Sequence, residues 1–153
     1  FRSNDLVGRK TARDGGQTAR AIAAQIAQTE AALQASATPA ALAMARRLRA
    51  AREAYLEVVD FVVGGTKAAP NAVYAGSVPY LLASGNLVAG WQLARSLLVA
   101  QELLAKGQDA PFMQAKIATA RFYAEHILVR VPGLRDAIVA GGESVMALPN
   151  DAF

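Results

Sequence analysis

Apolar positions recur at intervals of three and four along most of this chain, the spacing of one helix face, and the period-two alternation of strands is scarce. Ile22, Ile26, Thr29 and Leu33 mark one helix over QTARAIAAQIAQTEAALQAS (17–36). Thr38 at an N-cap and Pro39 at the first helical position open a second, which Gly64-Gly65 is expected to end. Its stripe is Ala45, Leu48, Tyr55, Val59 and Val62. TKAAPNAVYAGSVP (66–79) carries two prolines and a glycine and reads as a loop with at most one helical turn. A third helix runs from about Tyr80 to Lys106, stopped by Gly107, with Tyr80, Ser84, Leu87, Trp91, Ala94 and Leu98 on one face. Leu82, Leu93, Leu97 and Leu104 fall elsewhere around it, so it reads as buried nearly all round. Asp109 is expected to cap a fourth helix, which ends near Val131-Pro132-Gly133 and turns Met113, Ile117, Ala120, Ala124, Ile127 and Val131 inward.

Shorter pieces flank these four. NDLVGRKTARDGG (4–16) reads as a short helix with Asn4 as N-cap and Gly15-Gly16 as its stop. The tail gives one or two short helices broken at Gly141-Gly142. Alanine supplies 35 residues, which favours helix and lets helices approach closely. The expected fold class is all-α: an up-and-down antiparallel helical bundle of four main helices with short terminal helices.

Composition narrows what such a bundle does. With 153 residues, 54% of them apolar, the chain is long enough for one domain with a real core. It has no cysteine, which excludes disulfides, thiolate metal sites and a cysteine nucleophile, and fits a cytoplasmic protein. No signal-peptide pattern follows Phe1, and a chain opening on Phe1 reads as cut from something longer. The uncharged run from Ala68 to Ala94 matches a membrane span in length, about 20 residues, but its prolines, asparagines and glycines point to a bundle helix preceded by a loop. The net charge of +4 invites a nucleic-acid reading through Arg46, Arg47, Arg49 and Arg52. Glu53, Glu57 and Asp60 follow on the same face, however, and no aromatic residues interleave, so the face reads as ion-paired and solvated. Arg52 falls inside the apolar stripe, either snorkelling to its edge or meeting a carboxylate, for which Glu30 is at hand.

KIATARFYAEHIL (116–128) holds the single histidine, His126, beside Glu125. Consecutive helix residues point about 100° apart, so the pair does not make a facing acid–base dyad. His126 instead shares a second apolar side with Ala115, Ala118, Phe122 and Val129, opposite the inward stripe. Ala118, Phe122, His126 and Val129 are the expected interface, and a second apolar side calls for a second neighbour. No metal set, no serine–histidine–aspartate set and no dinucleotide-type glycine loop is legible.

Several stretches together resemble the flavin-dependent acyl-CoA dehydrogenases. They are NDLVGRKTARDGG, VPYLLASGNLVAGWQLAR (78–95), KIATARFYAEHIL and AGGESVMAL (140–148). The resemblance is to the long bacterial subgroup with an added C-terminal helical domain, which includes methylmercaptopropionyl-CoA dehydrogenases. It implies a parent that oxidises an acyl-CoA to the 2,3-enoyl-CoA: a glutamate base removes the C2 proton and FAD takes the hydride from C3. It also implies an electron-transfer partner, a cytoplasmic homo-oligomer, no nucleic acid and no membrane span. Residues 1–16 would be the end segment of the dehydrogenase helical domain, and 17–153 the accessory bundle. The family's Tyr-Glu-Gly-Thr motif, which carries the base, is not in this chain, and Phe1-Arg2 stand where the family usually has Ile-Gln. No catalytic, flavin-binding or metal residue is therefore carried over, and Glu125, His126 and Glu143 are not assigned as the base. The expectation is a non-catalytic domain that braces the catalytic body or its dimer and binds no FAD by itself. The alternative is a free-standing helical-bundle interaction module.

Overall fold

The computed structural model describes residues 2–149 and 152; Phe1 lies outside them. The described residues are helical apart from turns and short connections, with no strand among them. The helices are α1 (Arg2–Asp5), α2 (Gln17–Ser36), α3 (Pro39–Ala68), α4 (Pro70–Ala75), α5 (Ser77–Ala105), α6 (Ala110–His126), α7 (Val131–Ala140) and α8 (Gly142–Val145). A π-helical stretch, Leu6–Ala12, continues α1, and a 3₁₀ turn, Leu128–Arg130, joins α6 to α7. The all-α class expected from the periodicity is what the chain adopts.

Local chemistry explains the boundaries. Thr38 accepts a hydrogen bond from the Ala41 N–H, and Pro39 follows at N1, where a missing donor costs nothing. Gly15 and Gly16 both take positive φ, the conformation that lets the chain turn from the π-helical stretch into α2.

Other boundaries differ from the expectations. Gly64-Gly65 do not end α3, which runs on for thirty residues to Ala68. A glycine stops a helix when it turns left-handed, and neither of these does. Gly65 is small for another reason: a Cβ there would stand 2.7 Å from Val73 Cγ2 of α4. The stretch 66–79 is accordingly not a loop. It holds the end of α3, all of α4 and the start of α5, with Pro70 and Pro79 in first turns where no intrahelical N–H is needed. Asp109 stands at the N-cap of α6 but makes no side-chain cap. That helix ends at His126, before Val131, which belongs to α7.

Named contacts fix the directions of the long helices. Arg20 meets Asp60 and Arg52 meets Glu30, so α2 and α3 run antiparallel. Gln101 donates to Thr38 while Tyr80 stacks on Tyr55, so α5 returns antiparallel to α3. Tyr123 reaches the Asn86 carbonyl and Phe112 lies beside Val99, so α6 runs back along α5. α7 adds a further member, packing on both α3 and α5, with Ile138 buried against Gly76.

The buried centre is α3. Ala41, Met44, Ala45, Leu48, Ala51, Tyr55, Val58, Val59 and Val62 are all shielded, a wider arc than the five-residue stripe. The helix expected to be buried all round, α5, buries one side only and leaves Leu81, Leu82, Val88 and Val99 exposed. Alanine causes the exchange of roles. It carries little hydropathy signal along α3, yet its small side chain lets neighbours close in on that helix.

Candidate functional site

α6 presents the stripe singled out by the sequence. Ala120 and Ala124 turn inward and are buried, and the tyrosine next to them donates to Asn86 O over 3.2 Å. On the far side Ala118, Phe122, His126 and Val129 are all exposed. Phe122, 58% exposed, stacks on His126 with ring centroids 4.4 Å apart. The two rings sit one helical turn apart, where i and i+4 side chains meet. Val129 extends the stripe from the 3₁₀ turn. That turn is also where Leu128 swings inward, packing onto Gly90 of α5 so tightly that a Cβ there would lie 2.5 Å from Leu128 Cδ2.

No acid–base pair forms here. Glu125 is held by Arg121 over 3.0 Å, along the helix and away from His126. Glu143 is exposed in α8, on another element. Among the described residues no three histidine, aspartate or glutamate side chains gather as a metal site.

Pairing takes up Arg49 and Arg52 of α3, while Arg46 and Arg47 stand exposed. Arg49 binds Glu53 over 2.9 Å, Arg20 reaches Asp60 over 2.6 Å, and Arg135 of α7 meets Glu57. Arg52 is bidentate to Glu30, at 2.6 and 3.1 Å, in the seam between α2 and α3. This hydrogen-bonded carboxylate holds the guanidinium pKa above its ordinary value. Two of the four arginines in the run thus sit in structural pairs.

Two of the open grooves among the described residues carry basic side chains. One, about 450 Å³, lies between α5 and α6 with Arg95, Val99, Phe112 and Lys116 on its walls. Its cations rest on aromatic faces: Arg95 over Trp91 at 5.8 Å and Lys116 over Phe112 at 5.2 Å. The other, about 430 Å³, borders the π-helical stretch, beside Arg9, Lys10, Arg13 and Tyr55. Gly16, at the N-cap of α2, has its open side filled by Val59 Cγ1, 2.7 Å from where a Cβ would be. Arg2 is exposed in α1.

What the sequence reading missed is the outer side of α5. Val78, Leu81, Leu82, Gly85 and Ala89 are all exposed. The signal was present, since no charge interrupts the chain between Lys67 and Arg95. No helix among the described residues is long and apolar enough to cross a membrane.

Residues 18–149 match the family described as acetyl-CoA dehydrogenase C-terminal like. The chain is 46% identical over 146 residues to a 3-methylmercaptopropionyl-CoA dehydrogenase of Ruegeria pomeroyi, covering 95% of this chain and 25% of that protein. It is 30% identical over 157 residues to a butyryl-CoA dehydrogenase of Syntrophomonas wolfei, covering 100% of this chain and again 25% of the relative. A shorter match, 35% over 81 residues, links 51% of it to 13% of the broad-specificity linear acyl-CoA dehydrogenase FadE5 of Mycobacterium tuberculosis. The chain thus spans at most a quarter of the length of these curated relatives.

Proposed function

Because this chain belongs to the acetyl-CoA dehydrogenase C-terminal-like family, we propose that it is the non-catalytic helical domain of a cytoplasmic, FAD-dependent acyl-CoA dehydrogenase. The parent oxidises an acyl-CoA to the 2,3-enoyl-CoA and passes the electrons to a partner protein. In that reading residues 17–153 form the accessory bundle and residues 1–16 end the preceding dehydrogenase helical domain. The bundle's task is mechanical: it braces the catalytic body or the homo-oligomer. One observation carries this role: the Ala118, Phe122, His126 and Val129 stripe is exposed although two aromatic rings stack within it. Apolar and aromatic surface left open on an ordered helix is what a contact surface looks like before its partner arrives.

The full-length polypeptide tests the reading. It is expected to be yellow with bound flavin and to reduce an electron-acceptor dye when given an acyl-CoA. Phe122→Asp is expected to leave helix content unchanged while lowering the full-length protein's melting temperature or oligomeric mass. A colourless full-length protein that gives no dye reduction with any acyl-CoA tried overturns the domain assignment. A Phe122→Asp protein identical to wild type in melting and mass overturns the bracing role of α6.

A further inference from the structure

The outer side of α5 carries a second apolar face, distinct from the α6 stripe. Val78, Leu81, Leu82, Gly85 and Ala89 fall on one side by helical spacing. Val78 is 67% exposed and Leu82 53%. The face is free of charge, the composition that marks the core of an interface.

Gly85 adds an independent observation. A Cβ at this position would meet nothing within 4 Å, so packing inside this chain does not require a glycine there. Glycine within a helix is unfavourable relative to alanine. Gly90, in the same helix, is crowded by Leu128, whereas Gly85 faces open space, as Gly64 of α3 and Gly133 of α7 do. Bare backbone at Gly85, followed one turn later by Ala89, lets another helix come close.

The place where the chain enters identifies the occupant. Ser3 of α1 lies against Ser77, their hydroxyl oxygens 3.4 Å apart, so α1 packs at the first turn of α5, the turn that also carries Val78. The matched segment is 25% of the length of the Ruegeria and Syntrophomonas relatives, and a C-terminal domain has the remainder ahead of it. We infer that the Val78–Ala89 face of α5 seats an apolar helix of the catalytic body of the same polypeptide. The inference rests on the domain reading above.

Photocrosslinking of the full-length protein tests it, with p-benzoylphenylalanine replacing Leu82 and, as a control on the solvated strip of α3, Arg47. The expected result at Leu82 is an intrachain crosslink, seen as a monomer band on a denaturing gel and mapped to peptides upstream of α1, with none at Arg47. In the unmodified protein, hydroxyl-radical labelling of Val78 and Leu82 is expected to be several-fold weaker than in urea. A dimer band from Leu82 overturns the inference in favour of a second copy. Absent crosslinking with Val78 and Leu82 labelled freely overturns it outright, even if the preparation is yellow and active. A colourless, inactive preparation overturns the domain reading separately, and with it the identity of the occupant.

Discussion

Arg52 carries its charge into the seam between α2 and α3, where Glu30 meets it with both carboxylate oxygens. The side chains are only 17% and 7% exposed, so each charge depends on the other for what water supplies at the surface. Removing one partner strands the other. Arg52→Met is expected to destabilise the chain by about 3 kcal/mol, whereas the double variant Glu30→Leu/Arg52→Met returns to within about 1 kcal/mol of wild type. Urea denaturation of the three proteins checks both values. Tyr80 is a second buried polar residue with a long-range partner, its hydroxyl 2.8 Å from that of Thr11. Burial holds its phenol pKa well above the ordinary 10.0, and Tyr55 beside it is raised by burial as well. The unfolded chain therefore releases this proton first, and the stability it contributes falls as pH climbs past about 10. Tyr80→Phe is expected to cost about 1–3 kcal/mol at pH 7, because Thr11 loses its partner, and to show a shallower alkaline loss. Urea unfolding at pH 7 and in the alkaline limb separates the two effects.

At the scale of elements, glycine means different things along one helix. In α5, Gly90→Ala drives a methyl into the fully buried Leu128, while Gly85→Ala meets open space. Overpacking at the first costs about 1–3 kcal/mol, against roughly 1 kcal/mol of recovered helix propensity. The substitution at the second recovers propensity alone. Thermal melts of this chain are expected to fall for Gly90→Ala and rise slightly for Gly85→Ala; the same sign for both contradicts the packing described. The long helices were legible because caps, first-turn prolines and the four-and-three spacing agreed, as at Thr38-Pro39 and along Ile22–Leu33. The continuation of α3 through Gly64-Gly65 was not. Whether a glycine stops a helix depends on its φ, and that was settled by α4 packing against Gly65. Hydropathy likewise could not tell a core face from an open one, so the outer side of α5 read as buried. The α6 stripe was legible because its second side lies opposite the first.

At the scale of the whole molecule, α3 is the axle and the other helices gather on it, leaving a narrow charged strip to solvent. The partners of that strip come from far along the chain: Arg20 lies 40 residues from Asp60, and Arg135 lies 78 from Glu57. Sequence reading found the strip and its mixed sign, but not the partners from α2 and α7, because those ion pairs exist only once the helices have assembled. The two most extensive packings join helices that follow one another, α2 with α3 and α5 with α6, which favours their early pairing. α7 breaks that pattern. It comes late, yet Ile138 closes the core beside Gly76, at the start of α5. A chain emerging from the ribosome in order therefore holds most of its helices outside the exit tunnel before it can bury that last wall. Until residue 138 is free, the half-built bundle shows chaperones an apolar gap along α3 and α5. The vulnerable moment in the life of this domain is the interval before α7 emerges.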